Sequence, residues 1–200
     1  MLSGIGAAIF GFRSLKKSTK NTVRIIAFIT IFAAFCDLTL FFLARKSINN
    51  LWIINFYELV LGLGSILFFY HVDTRYFRLL KSLSIIFTII FLSSWFLPVD
   101  KIGDLNGLGM VLESLVLIFV SILFFYRTYL KADEVFIEKS PEFLIVAGIL
   151  FYFSGALFTF LLWADILSQS PNELYHSWVL HNCANILKNL LFVFAFVKSR

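Results

Sequence analysis

Long apolar segments separated by short polar ones recur along the whole chain, and this pattern predicts membrane-spanning helices. The apolar segments cover approximately residues 1–12, 23–43, 51–71, 82–97, 108–126, 142–163 and 175–197. A helix needs about 20 residues to cross a bilayer core about 30 Å thick, whereas a barrel strand needs only about 10 residues of alternating polarity. The pattern therefore predicts an all-α integral membrane protein that forms one polytopic domain over residues 1–200, a transmembrane bundle of seven helices.

The first segment is the short one, because its 12 residues, MLSGIGAAIFGF, extend only about 18 Å as a helix. Positive charges follow it at Arg13, Lys16, Lys17 and Lys20 and none precedes it, which is the reverse of the order in a signal peptide. We interpret it as a helix that enters the membrane from outside, with a true start upstream of Met1 as one explanation of its length. If it does not cross, six spans with both ends inside satisfy the same charge pattern.

The basic residues predict the orientation of the bundle. Most Lys and Arg lie in the loops after spans one, three and five and at the C-terminus, and almost none lie in the loops after spans four and six. Arg45 and Lys46, after span two, are a mild exception. Because positively charged loops remain in the cytoplasm, we expect the N-terminus outside and the C-terminus in the cytoplasm, in a multi-pass protein of the bacterial cytoplasmic (inner) membrane.

The composition excludes a soluble domain, since 60% of the residues are hydrophobic and 14% are charged, against about 25% charged in soluble domains. The lipid bilayer is therefore a predicted partner. The net charge of +5 arises in short loops, where it sets topology, so no nucleic-acid binding is expected. Cys36 and Cys183 both lie within apolar spans, and no disulfide framework is indicated.

The last segment, Tyr175 to Val197, carries polar residues inside an otherwise apolar span. They are His181, Asn182, Asn185, Lys188 and Asn189. At about 100° per residue these positions share one arc of roughly 120°. The opposite arc, which suits lipid, contains Leu180, Leu187, Leu191 and Phe194. Polar side chains are costly in hydrocarbon, so the polar arc is predicted to face the other helices.

Ionisable residues on four spans lie at one predicted depth. Counted from the outer ends, Asp37, Glu58, Glu113 and His181 are all roughly 8 to 11 Å deep, and Lys188 is about 10 Å deeper. An unpaired charge at such depth costs about 3 kcal/mol. The carboxyls must therefore be protonated, be paired with His181 or Lys188, or coordinate a cation.

The predicted ligand-binding residues follow from this layer. They are Asp37, Glu58, Glu113, Tyr152, His181, Asn182, Asn185 and Lys188. The four ionisable residues of equal depth, Asp37, Glu58, Glu113 and His181, are the metal-ligand candidates. Any single one of these groups can equally serve as a hydrogen-bonding contact between helices, and that alternative stays open.

Two further stripes of small and polar residues are predicted to face neighbouring helices. One, on the third span, consists of Asn55, Glu58, Gly62 and Ser65. The other, on the sixth span, consists of Gly148, Tyr152, Gly155 and Thr159. Small residues allow helices to approach closely in a membrane, so packing is the preferred interpretation of the glycines.

Known cofactor chemistries of seven-helix proteins fit the chain poorly. The metal-dependent hydrolases of the ceramidase and adiponectin-receptor kind carry His-x-x-x-His on the last helix, but His176 and His181 are five residues apart. Lys188 imitates the retinal lysine of a microbial rhodopsin. Ala184, however, stands where an Asp would precede that lysine by one turn, and the third span lacks the Arg and Asp pattern. The cofactor is thus unknown, with a divalent cation more compatible than retinal.

Several short polar motifs follow one another along the spans. They are Asp37 in the second span, Tyr57-Glu58 in the third, Leu112-Glu113-Ser114 in the fifth, Tyr152-Phe153-Ser154-Gly155 in the sixth, and His181-Asn182 with Asn185 and Asn189 in the last. This order resembles an uncharacterised bacterial family of small seven-transmembrane-helix proteins associated with sensory histidine-kinase systems. The resemblance covers nearly the whole chain and implies a signalling context, while the short first helix departs from it.

The function predicted from these features is that of a non-enzymatic membrane sensor or receptor-like module, with an outward-facing polar pocket for a cation or a small polar ligand. Two alternatives stay open: a transporter of protons, metal or a small solute, and a metal-dependent intramembrane hydrolase. No residue is assigned a catalytic role. Because spans occupy most of the 200 residues, we expect a sensor to act through a membrane signalling partner or through further copies of the chain.

Overall fold

The computed structural model describes residues 2–18, 20–72, 77–94, 106–130, 140–161 and 171–199. Within these ranges the regular structure is entirely helical. The seven helices are α1 (Leu2–Lys17), α2 (Asn21–Arg45), α3 (Leu51–Val72), α4 (Phe77–Ser94), α5 (Gly107–Leu130), α6 (Pro141–Leu161) and α7 (Pro171–Lys198).

Five of the described helices are long and apolar enough to cross a membrane: α2, α3, α5, α6 and the Val179–Lys198 part of α7. The protein is therefore helical and of the multi-pass membrane type, as the apolar pattern predicts. The predicted count of seven spans is not confirmed, since α1, with 16 residues, and α4 are not among these five helices. Helix α4 also begins at Phe77, five residues before the predicted span, and so includes Arg78 and Lys81.

The described helices pack in chain order around a ring. Each helix from α1 to α7 contacts the next one. The contacts are most extensive between α6 and α7 and between α1 and α2, and least extensive between α4 and its two neighbours. Helix α7 also packs against α1 and so closes the ring. Contacts of α2 with α6 and α7, and of α3 with α5, cross its interior. Polar residues that face inward from α3, α5, α6 and α7 can therefore meet.

The outer surface of the ring is apolar, as lipid contact requires. Large exposed side chains occur on several helices, among them Phe28, Phe35, Trp52, Phe119, Phe151 and Phe158. On α7, Leu180, Leu187 and Phe194 are exposed, which confirms the predicted lipid-facing arc, and Leu191 is half-buried. Cys183 is exposed and Cys36 is buried.

Small residues bring α6 and α7 close together. A Cβ atom built on Gly155 would lie 2.7 Å from the Cβ of Ala184, and one on Gly148 would lie 2.9 Å from the Phe192 ring. Tyr152, between the two glycines on the same face, is 1% exposed. The predicted small-residue stripe of α6 is thus confirmed as a helix-packing face, and it presses Tyr152 against α7.

Asn106 sets the position of α5 relative to α3 and α4. Its side-chain Oδ1 accepts a hydrogen bond from the backbone N–H of Gly109 at 3.0 Å, as an N-cap residue does. Its Nδ2 donates to the carbonyl of Phe91 on α4, and its backbone N–H donates to Oδ1 of Asn55 on α3 at 2.9 Å. Glu58 follows Asn55 by about one turn, and Glu113 follows Asn106 by about two. The Asn55–Asn106 bond therefore fixes the register between α3 and α5, the two helices that carry these glutamates.

Opposite the Asn106 end of the bundle, polar contacts join α2 to α6 and α1 to the end of α7. Lys20 forms an ion pair of 3.0 Å with Glu142, which also accepts a hydrogen bond from the Thr22 hydroxyl. The hydroxyls of Ser14 and Ser199 lie 3.2 Å apart. An ion pair this exposed contributes at most about 1 kcal/mol, so its role is to fix how the helix ends meet.

Candidate functional site

A hydrogen bond between α3 and α6 is the centre of the candidate site. The hydroxyl of Tyr152 donates to Oε1 of Glu58 at 2.7 Å, and both residues are buried. Glu58 lies on the predicted stripe of α3, and its members Asn55, Gly62 and Ser65 are buried as well. The periodicity of α3 therefore turns this carboxyl into the bundle, and the glycines of α6 bring the phenol within reach.

Lys188 of α7 reaches the same place. Its side chain is 3% exposed, its Nζ donates to the hydroxyl of Tyr57 at 3.2 Å, and it lies 3.9 Å from the centroid of the Tyr152 ring. A cation over an aromatic face in a desolvated site contributes about 2 kcal/mol. The ammonium also interacts electrostatically with Glu58 and Asp37. Two tyrosines thus hold the cation beside the carboxyl.

Glu113 brings a second carboxyl from α5. It is 1% exposed, and neither of its carboxyl oxygens has a hydrogen-bond partner among the described residues. Its carboxyl interacts electrostatically with that of Glu58, whose Oε2 is also buried and unbonded within the described part of the chain. The site therefore contains a buried pair of carboxyls with three oxygen atoms in need of a proton or a cation.

His181 lies beside this pair, on α7 about two turns before Lys188. Its ring packs edge-on against Tyr152 at 5.4 Å between centroids, and lies tilted against Phe160 at 5.8 Å. It is 9% exposed and interacts electrostatically with Lys188. His181 is therefore held by aromatic contacts at the edge of the site. We refer to Tyr57, Glu58, Glu113, Tyr152, His181 and Lys188 as the polar cluster.

Asp37 lies apart from the carboxyl pair, on the side of α1. It is half-buried, and a Cβ atom on Gly4 would lie 3.0 Å from its Oδ2. Close by, Nδ2 of Asn189 donates to the Ser3 hydroxyl at 3.2 Å. Asp37 interacts electrostatically with Lys188. It is therefore a second acidic group in the field of the same lysine, with α1 as its neighbour.

The structure brings together five of the eight predicted site residues, namely Glu58, Glu113, Tyr152, His181 and Lys188. Asp37 joins them through its electrostatic interaction with Lys188, and it interacts in the same way with Tyr57. The prediction that the whole polar arc of α7 faces inward is wrong at Asn182, which is exposed, and Asn185 is half-buried. Neither asparagine contacts the polar cluster among the described contacts. Asn182 lies at one edge of the arc, where a small error in helical angle decides between interior and lipid, whereas Asn185 lies near the middle of the arc.

Tyr57 is the member of the polar cluster that the sequence analysis does not assign to the site. The sequence marks it only as part of the Tyr57-Glu58 motif, because an aromatic residue beside a buried acid is equally well explained by packing. The signal that could have found it is its position one residue before Glu58, on the flank of the α3 stripe that faces α2 and α7.

The four metal-ligand candidates do not assemble into a metal site. Among the described residues, no group of three or more His, Cys, Asp and Glu side chains is arranged to hold a metal ion. Asp37 and His181 are held at separate edges by α1 and by the aromatic rings, as the contacts above describe. Of the four candidates, Glu58 and Glu113 are the two whose carboxyls interact with each other, and two carboxyls are fewer ligands than a divalent metal usually takes from protein.

The charges in the cluster favour one distribution. The hydrogen bond from Tyr152 and the nearby Lys188 ammonium both stabilise the ionised form of Glu58. Glu113 has no such donor among the described residues, and a second buried carboxylate would carry a penalty of several kcal/mol. Of the two buried carboxyls, Glu58 is therefore the one whose charge the arrangement stabilises better, through Tyr152 and the nearby Lys188.

Comparison of the chain with protein-family models, with curated proteins and with solved structures gave no match. The class of the protein is therefore defined by its own fold and site. It is a helical protein of the multi-pass membrane type, with a buried cluster of two carboxyls, two tyrosines, a histidine and a lysine in its interior.

Proposed function

We propose that the protein is a non-enzymatic membrane sensor module whose polar cluster binds a proton, the smallest cation, at the Glu58–Glu113 pair. The observation that carries the proposal is the set of three buried carboxyl oxygens, Oε2 of Glu58 and both oxygens of Glu113, that have no hydrogen-bond partner among the described residues. A proton reaches such a pair without an open pocket, whereas a larger ligand requires the packed helices to separate.

Binding or loss of one proton would change the packing of the cluster. Protonating Glu58 removes the counter-charge of Lys188, and deprotonating Glu113 places a second anion beside the first. Either change alters the contacts among α3, α5, α6 and α7, because each of these helices contributes a cluster residue. Asp37 and His181, at the edges of the cluster, adjust the field that Lys188 and the two glutamates experience.

The setting that we propose is a bundle of seven spans in a bacterial cytoplasmic membrane, with the N-terminus outside. The basic loops, the apolar outer surface and the closed ring of helices support it. The output then passes to a membrane signalling partner or to further copies of the chain. A histidine-kinase system is the context that the resemblance of the short motifs suggests.

A pH titration of the intrinsic tryptophan fluorescence of the protein in lipid nanodiscs tests the sensor proposal. The wild type is expected to show a reversible transition, which Glu58→Gln and Glu113→Gln abolish or displace. Glu142→Gln is the matched control, because Glu142 is a carboxyl in a surface ion pair, and it should retain the transition. If both cluster variants titrate like the wild type, the carboxyl pair is not a proton-binding site.

The same proteins distinguish a sensor from a proton transporter. Reconstituted into vesicles that contain a pH-sensitive dye, a sensor shows no proton flux above that of empty vesicles when a pH gradient is applied. Flux that disappears in Glu113→Gln would replace the sensor proposal with the transporter alternative, with the same residues at its centre.

A further inference from the structure

An apolar groove runs along the outer surface of the bundle between α2 and α3. It has a volume of about 710 Å³, and most of its lining is hydrophobic. It is lined by residues of α2 and α3 and by Leu15 of α1. From the level of His71 to that of Val60 the groove extends about 16 Å along α3. This length is close to the hydrocarbon thickness of one bilayer leaflet, about 15 Å.

The polar residues of the groove are concentrated at one end. Asn21 and Arg24 belong to the first turn of α2, and His71 belongs to the last turn of α3, so the three lie at the same end of the antiparallel pair. The remainder of the groove, deeper along the helices, is apolar. This is the polarity of a site for an amphipathic molecule whose charged end lies at the membrane surface.

Arg24 supplies a positive charge at the polar end of the groove. It is exposed, and its guanidinium has no ion-pair or hydrogen-bond partner among the described residues, whereas Lys20, one turn earlier, is paired with Glu142. Lys20 is the N-cap residue of α2 and makes no side-chain cap hydrogen bond. The positive end of the α2 dipole lies beside Arg24, because Arg24 belongs to the first turn of that helix. Arginine and a helix N-terminus both favour a phosphate group.

The depth of the groove depends on a glycine. Gly64 lies opposite Ile29, and a Cβ atom there would come within van der Waals overlap of the Ile29 side chain. A larger residue at this position would displace Ile29 into the groove or fill the groove itself. Leu67, 46% exposed, borders the groove near its polar end.

We propose that this groove binds one anionic phospholipid, with an acyl chain between α2 and α3 and the phosphate at Arg24. In the proposed orientation the phosphate lies in the cytoplasmic leaflet, where basic residues between helices recognise lipid headgroups. The groove is apolar and opens on the lipid-facing surface, which makes an acyl chain its natural occupant. The proposal needs only the membrane setting and is independent of proton binding by the polar cluster.

Thermal melts in mixed micelles test the proposal, with phosphatidylglycerol and phosphatidylcholine of identical acyl chains as the two added lipids. The wild type is expected to melt at a higher temperature with phosphatidylglycerol than with phosphatidylcholine. Arg24→Gln should remove most of this difference. Arg13→Gln is the matched control, because Arg13 is an exposed arginine at the same end of the bundle and outside the groove lining, and it should keep the difference.

Leu67→Trp provides the second test, since it leaves Arg24 in place and fills the groove from its side. Quantification of lipid copurified in mild detergent should then give less phosphatidylglycerol per protein for Leu67→Trp and Arg24→Gln than for the wild type and Arg13→Gln. Equal stabilisation by both lipids would overturn the proposal. Equal losses in Arg13→Gln and Arg24→Gln would also overturn it, because binding would then reflect general surface charge.

Discussion

Lys188 shows how one side chain can lie at a different level from its backbone. Residue counting places it about 10 Å deeper than the acidic layer, but in a helix long side chains lean toward the N-terminus. On α7 that direction leads back toward His181, so the ammonium reaches the ring of Tyr152 and the hydroxyl of Tyr57. The sequence thus identifies the residue and its acidic partner, whereas its two tyrosine contacts depend on side-chain direction and on neighbouring helices.

Replacing Lys188 with methionine is expected to destabilise the protein by about 3–5 kcal/mol, because Glu58 is then a buried charge without its partner. Melting in detergent, followed by circular dichroism, measures the loss. Lys46→Met is the control, since Lys46 is exposed at the end of α2, and it should melt within a degree or two of the wild type. If the Lys188→Met protein is as stable as this control, Lys188 does not stabilise the site.

The two glutamates are expected to behave as one unit. Glu58→Gln removes the counter-charge of Lys188 and should destabilise the protein, whereas Glu113→Gln replaces a neutral carboxylic acid with a neutral amide of the same shape and should be tolerated. In the double variant the effects should deviate from additivity by about 0.5–3 kcal/mol, as for groups in contact. Strictly additive shifts in melting temperature would show that the two residues do not interact and act as independent contacts between helices.

At the scale of helices, the small-residue stripes were predictable and their partners were not. A face of Gly148, Tyr152, Gly155 and Thr159 can be read from helical spacing, and the structure confirms it as a buried or half-buried packing face. The sequence of α6 does not show which helix packs on this face. Helix α7 does so because Ala184 and Phe192 fit against the two glycines, and this fit depends on both surfaces together. The pairing of Asn55 with Asn106 likewise joins residues 51 positions apart.

The close approach of α6 and α7 predicts opposite results for two glycine substitutions. Gly155→Ala introduces a Cβ atom 2.7 Å from that of Ala184, and because neither atom can rotate away, one helix must shift at a cost of about 1–3 kcal/mol. Gly6→Ala, on α1, meets nothing within 4 Å and should stabilise the helix by about 0.5–1 kcal/mol. Detergent melts of the two variants should therefore move in opposite directions, and equal melting temperatures would contradict the packing of α6 on α7.

At the scale of the whole molecule, apolar length predicted a helical membrane protein, and the ring order arises from the packing of successive helices. The limits of the pattern appear at α1 and α4, where the helix includes basic residues beyond the apolar segment: α1 extends past Phe12 to Lys17, and α4 begins at Phe77. Hydropathy measures apolar length, whereas helix length also includes charged turns at the membrane surface. For this reason residue counting alone does not determine the number of spans.

Thiol labelling of single cysteines in intact cells tests the orientation, in a background without Cys36 and Cys183. Lys46→Cys, after α2, should react with a membrane-impermeant reagent, and Gln169→Cys, in the loop predicted after the sixth span, should react as well. Lys17→Cys should react only after the cells are opened. Asn106 is a poor labelling position despite its predicted loop location, because it is fully buried. Labelling of Lys17→Cys in intact cells would show that this end of the bundle lies outside, which contradicts the predicted orientation.

We expect the bundle to hold a neutral Glu113 beside an ionised Glu58, and infrared spectroscopy of the reconstituted protein can detect the neutral carboxyl group. At neutral pH the wild type should show the C=O stretching band of a protonated carboxyl group, shifted on exchange into deuterated water. The band should be absent from Glu113→Gln and should persist in Glu142→Gln. If the wild type lacks the band, or Glu113→Gln retains it unchanged, Glu113 does not carry the proton and the carboxyl pair is not the proton site described.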